Sequence, residues 1–145
     1  MTTYRRVLLV VDLTDDSLAI GRKAQALAAA LGAEVELLHV VEFVPVEPMG
    51  ETLLPSVQLE DELLAGAKQR LSALAAQLGL PNSPCRVESG NVKSEIVRVA
   101  RERRTDLIVL GSRERHGLSI LVNLTEDTVL HAAPCDVLAM RAGRA

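Results

Sequence analysis

Val7-Leu-Leu-Val-Val11-Asp12-Leu-Thr14-Asp15-Asp16-Ser17 is an unbroken run of five apolar residues, then an aspartate, then a cluster of helix-capping oxygens. An apolar run without polar alternation is the pattern of a parallel strand covered on both faces. The capping cluster opens a helix in which Leu18, Ala24, Leu27, Ala28 and Leu31 keep a helical period up to Gly32, a C-terminal stop. A buried strand leading directly into an amphipathic helix is the repeating unit of an α/β fold.

The same alternation continues along the chain. Glu34 to Val41 reads as a second strand, and a loop over 42–55 follows, with Pro45, Pro48, Gly50 and Pro55. Ser56 is expected to cap a long helix carrying Leu59, Leu63, Ala67, Leu71, Leu74 and Leu78 on one face and ending at Gly79. Cys85 to Glu88 is a short third strand. Asn91 opens a helix that buries Ile96, Val97 and Ala100, and Leu107 to Leu110 is the fourth strand. A fourth helix over about 123–132 and a fifth strand from Val137 to Met140 complete the order β-α-β-α-β-α-β-α-β. This predicts a doubly wound α/β domain spanning 1–145, with a mostly parallel five-stranded sheet and four helices on its two faces. Right-handed crossovers leave the strand order open. Ligands in such folds bind outside the carboxyl ends of the strands where the winding reverses, and Asp12 and Gly111 both follow such ends.

Composition narrows the function. The chain has 145 residues and is 48% apolar, enough for one core. No segment approaches the roughly 18 unbroken apolar residues of a membrane span. Met1-Thr-Thr-Tyr-Arg-Arg6 leads straight into a strand without the apolar region of a signal peptide, which predicts a cytoplasmic protein. Net charge is −3 with both signs interspersed, and Tyr4 and Phe43 are the only aromatic residues. A basic face and stacking platforms for nucleic acid are therefore both absent. Three histidines and two cysteines are scattered without metal-type spacing.

The stretch from Asp106 to Thr128 has the layout of a phosphate loop. A strand, Asp106-Leu-Ile-Val-Leu110, runs into Gly111-Ser-Arg-Glu-Arg-His-Gly117, and Asn123-Leu-Thr-Glu126 stands at a helix start. Glycine at a strand end lets the backbone approach a ligand, and a helix N-terminus offers free N–H groups. The loop is nonetheless poor in glycine and rich in acids.

Taken together, these segments resemble the universal stress protein family over nearly the whole chain. The carriers are Val7 to Ser17, Leu37-Leu-His-Val40, Gly90 to Ile96, Thr105 to Ser112, and His131-Ala-Ala-Pro-Cys-Asp-Val-Leu-Ala-Met140. The resemblance implies strand order 3-2-1-4-5 and a homodimer, often paired through the last strand. Family members divide into those that bind ATP and those that do not. The binders carry a glycine, two residues, a second glycine, nine residues, and a third glycine followed by serine or threonine. Gly111 matches the first and Thr125 the final hydroxyl, but Glu114 and Leu124 replace the second and third glycines. By the same resemblance Asp12 meets the ribose and Val40 offers its backbone to adenine.

Those departures bear on a triphosphate. Glu114 adds a negative charge, and Glu126 and Asp127 put two more in the helix's first turn. A like-charge pair about 4 Å apart costs roughly 4 kcal/mol at an effective dielectric near 20. Micromolar binding amounts to roughly 8 kcal/mol in total. Arg113, Arg115 and His116 offset part of this, as a clamp for phosphate or an acidic partner, or else are simply solvated. Asn123 and Glu126 fit a capping box, which occupies the helix's own N–H groups. Asp12 has a plain alternative as a turn former. Ser112 and His116 do not form a Gly-x-Ser-x-Gly elbow, so hydrolase chemistry is not indicated.

In the order the resemblance implies, Cys85 and Cys135 lie four strand spacings of about 4.8 Å apart. A disulfide needs Cα atoms within about 7 Å, so an internal bridge is excluded by that order. Val137, Leu138, Ala139 and Met140 then form an apolar edge strand, which invites a symmetric partner. The leading expectation is a homodimeric stress-response protein that binds a ligand or partner, with weak or absent ATP binding and no catalysis or required cofactor. The alternative is a switch that binds ATP, ADP or AMP, with Mg²⁺, for which a monophosphate suffers least repulsion. A slow ATPase is the third. The candidate site is Asp12, Val40, Gly111, Arg113 and Thr125.

Overall fold

The computed structural model of the chain describes residues 4–42, 54–112, 129 and 131–142. Its elements are β1 (Arg6–Val10), α1 (Ser17–Leu31), β2 (Glu34–Val41), α2 (Leu54–Gln77), β3 (Cys85–Ser89), α3 (Val92–Glu102), β4 (Leu107–Ser112) and β5 (Asp136–Arg141). The strands form one sheet in the order β3-β2-β1-β4-β5, and every neighbouring pair is parallel. Three helices are described in full where four are expected. Of the expected fourth, only Val129, His131 and Ala132 are described, and all three are helical.

Alternate residues of β1 serve two cores. Val7, Leu9 and Val11 pack with Ile20, Ala24, Leu71 and Leu74 of α1 and α2. Leu8 faces the other way, toward Ile96 and Val99 of α3 and toward Val129. Burial on both faces is what the uninterrupted apolar run requires. The chain winds from β1 through α1 and α2 on one face, then crosses by α3 on the other face to β4. The reversal therefore falls between β1 and β4.

Local signals explain most element ends. Gly32 and Gly79 close α1 and the turn after α2 with φ of 66° and 73°, a left-handed conformation that glycine adopts without a side-chain clash. Asn91 caps α3, its Oδ1 accepting from the Ser94 amide at 3.0 Å. One expectation for α2 needs correction. The helix begins at Leu54, so Ser56 lies inside it and is not its cap. Pro55 suits the first turn because its missing N–H is one that no helical bond uses there. Ala67, Leu71, Leu74 and Leu78 are buried, but Leu59 and Leu63 are 49% and 43% exposed. The 24 residues of α2 span about 36 Å, against about 26 Å for the eight residues of β2. Its N-terminal turns thus extend past the sheet they would cover.

The amino ends of β1, β4 and β5 are joined by side chains. Asp106 Oδ2 accepts from the amides of Arg5 and Arg6 at 2.8 and 2.9 Å. These two bonds hold its carboxyl below the usual range. Tyr4 donates its hydroxyl to Asp136 Oδ2 at 2.6 Å, which raises the pKa of the phenol. At the opposite edge Arg86 and Arg98 bridge Glu88 to Glu95 and Glu102, tying β3 to α3.

Candidate functional site at the carboxyl ends of the central strands

The site is built where β1 stops. β1 ends at Val10, and Val11 still donates its amide to the Leu38 carbonyl at 2.9 Å. At Asp12 the chain turns away. Asp12 Oδ1 accepts from the Thr14 amide at 3.1 Å, the Thr14 hydroxyl at 2.7 Å and the Ser17 hydroxyl at 3.0 Å. Aspartate bonding to the backbone two residues on is the usual chemistry of a turn. Asp12 therefore constructs the loop in which it sits. Ser17, expected as a capping oxygen, is buried and turned back into this network, and Asp16 at the cap position makes no side-chain cap bond. Between Asp12 and Thr14, Leu13 adopts φ 57°. A left-handed residue with a side chain costs roughly 1–2 kcal/mol, which the surrounding bonds must offset.

Beside this loop β2 runs on past the end of β1. Backbone groups of alternate strand residues point to the same side. The Leu38 carbonyl faces β1, whereas the Val41 carbonyl accepts from Gly90 on the β3 side. Val40 shares the Leu38 direction, so its amide and carbonyl face the space that β1 leaves at Asp12. The Val40 side chain is buried against α3.

On the other flank is β4. Gly111 pairs with Met140 of β5 and lies beyond Val109, the last β4 residue in register with β1. A β-carbon at Gly111 would lie 2.6 Å from Ile20 Cδ1, so a side chain there would have to displace the end of that isoleucine of α1. Asp12, Val40 and Gly111 are thereby brought to the same end of three adjacent strands. Arg113 and Thr125 lie outside the described residues, as do Glu114, His116, Asn123, Leu124, Glu126 and Asp127. The 42–55 loop is likewise outside the description, except at its ends.

Two residues join the site that were given no role from sequence. His39 Nδ1 lies 2.7 Å from the Val11 carbonyl, and the Arg70 guanidinium donates to the Leu13 carbonyl. His39 falls within the Leu37 to Val40 motif, which is its only signal. Arg70 looks like any surface arginine of a helix.

Cys85 and Cys135 are both free, and burial pushes each thiol's pKa up, which lowers its thiolate content. Among the described residues no cluster of three or more His, Cys, Asp or Glu is arranged for a metal ion, and no helix is long and apolar enough to cross a membrane.

A parallel sheet with helices on both faces and a winding reversal between β1 and β4 defines a doubly wound α/β domain. The model of the universal stress protein family matches residues 3–141, and the chain belongs to that family. It is 35% identical to a universal stress protein A homologue of Coxiella burnetii over 97% of each chain. Among solved structures, the universal stress protein UspA from Lactobacillus plantarum aligns with TM-score 0.75 at 28% identity, covering 95% of this chain and 98% of that one. The universal stress protein from Archaeoglobus fulgidus in complex with dAMP has the same fold, with TM-score 0.59 at 19% identity over 96% and 98% of the two chains.

Proposed function

We propose that this protein is a non-catalytic, cytoplasmic binding protein of the stress response whose crevice takes an adenine nucleoside monophosphate in preference to ATP. The observation carrying this reading is the convergence of Asp12, the Val40 backbone and Gly111 at the carboxyl ends of β1, β2 and β4. Val40 supplies the donor and acceptor pair that an adenine edge needs, and Asp12 supplies a carboxylate for ribose hydroxyls. The dAMP complex of the Archaeoglobus relative supports a monophosphate as ligand class. Glu114, Glu126 and Asp127 disfavour further phosphates by charge, and Leu124 replaces a glycine of the triphosphate pattern. Arg113 and Thr125 are the candidate groups for a single phosphate. Two copies pair through β5, burying Val137 to Met140 at the seam.

Absorbance at 260 against 280 nm reveals a co-purified base with unusual clarity, because the chain has no tryptophan. Melting curves with AMP and ATP then rank the ligands, since binding to the native state must raise stability. AMP should raise the melting temperature more than ATP at equal concentration. A rise of several degrees with ATP and none with AMP would overturn the proposal.

A further inference from the structure

The carbonyls on both sides of Asp12 are held by side chains from two other elements. His39 of β2 bonds the Val11 carbonyl at 2.7 Å, and since a carbonyl only accepts, Nδ1 carries the proton. Arg70 of α2 donates to the Leu13 carbonyl. Leu13, whose carbonyl Arg70 holds, is left-handed, and Asp12 Oδ1 gathers three donors of the same loop. Neither contact is needed to form its own element. His39 stands beside the buried Leu38 and Val40, and Arg70 is exposed next to the fully buried Leu71. Both reach away from well-anchored neighbours to one strained loop.

We infer that His39 and Arg70 are positioning residues for the ligand site, clamping the Val11–Thr14 loop in the left-handed turn that sets the Asp12 carboxylate at the crevice. This rests on the reading of that crevice as a nucleotide site. The turn is strained when left to itself, because a leucine there favours other backbone conformations. Two donors from outside the loop, one of them a charged guanidinium, bias it toward the bound geometry before any ligand arrives. Arg70 also links the site to α2, so occupancy and the attitude of that helix are coupled through one hydrogen bond.

The test joins amide hydrogen exchange of the ligand-free protein with AMP titration, on Arg70→Met, Arg70→Lys and His39→Phe. Exchange over residues 11–17 should rise about tenfold in Arg70→Met and His39→Phe as the loop opens locally. AMP affinity should fall about fivefold, the scale of one hydrogen bond's net contribution. Arg70→Lys should restore both, while global melting changes little. If His39→Phe fails to fold, the exposed Arg70 pair carries the test. Unchanged exchange, or raised exchange with unaltered AMP affinity, overturns the positioning role. Failure of the wild-type protein to bind AMP overturns the crevice reading itself, and is recognised before any variant is compared.

Discussion

Gly111 of β4 and Ile20 of α1 are in such close contact that a β-carbon at position 111 would lie 2.6 Å from Ile20 Cδ1. Ile20 is buried in the core, so that methyl has little room to retreat. The glycine at the mouth of the crevice therefore lets β4 pack closely against the end of an α1 side chain, whatever it also does for a ligand. Gly111→Ala should destabilise the fold by about 1–3 kcal/mol, the cost of overpacking. Ile20→Val removes the clashing methyl, at about 0.5–1.5 kcal/mol by itself. The double variant should be more stable than the sum of the two changes implies, as read in urea unfolding. Strict additivity would show that the contact is not the reason for the glycine.

Restoring the family's glycines should restore its ligand. Glu114→Gly with Leu124→Gly removes one charge and one bulky side chain from the loop. ATP should then raise the melting temperature where it does so weakly or not at all in the parent. No gain in the double variant would mean that these two positions do not govern triphosphate binding.

Asp106 predicts an acid-side stability loss of known sign. Its carboxyl pKa is depressed in the folded state by the amides of Arg5 and Arg6. The stability it contributes is present above the unfolded value of about 3.9 and is lost as pH falls through the lower folded value. Asp106→Ala should cost about 1–2 kcal/mol at neutral pH, below the full scale of hydrogen bonds to a charged acceptor because both bonds are exposed to screening by solvent. The gap between variant and parent should begin to narrow below about pH 4 and shrink further as pH falls through the lower folded value. A gap that does not narrow as pH falls below the unfolded value would locate the effect elsewhere.

Ala139 tests the seam. β5 is an edge strand, and Ala139 on it is exposed. Lysine on an edge strand opposes pairing with another copy. Ala139→Lys should give a monomer in sedimentation velocity while keeping the parent's melting profile at low concentration. A dimer that survives the substitution would place the interface on another surface.

The sequence foretold the fold better than the site, for physical reasons. The uninterrupted Val7–Val11 run and the Leu107–Leu110 run report two-sided burial, and Gly32, Gly79 and Asn91 mark helix ends by backbone chemistry. Strand order was not legible from these segments alone, because right-handed crossovers permit several orders. It followed from the family likeness. The exposure of Leu59 and Leu63 has a simple source. Periodicity reports which face of α2 is apolar, not how far the sheet beneath it extends. Asp12, Val40 and Gly111 could be found because strand ends are visible in sequence. His39 and Arg70 could not be assigned, since their partners are main-chain carbonyls of a loop 28 and 57 residues away. Such contacts leave no pattern in side-chain spacing.

The Tyr4–Asp136 hydrogen bond gives the protein a built-in optical probe. Tyr4 is the sole tyrosine in a chain without tryptophan, and its hydroxyl rests on the first residue of β5. A phenol bonded to a carboxylate is a poor emitter, so peeling β5 from the sheet should brighten the ultraviolet fluorescence. Detachment of that outer strand could thus be followed in real time without attaching a dye.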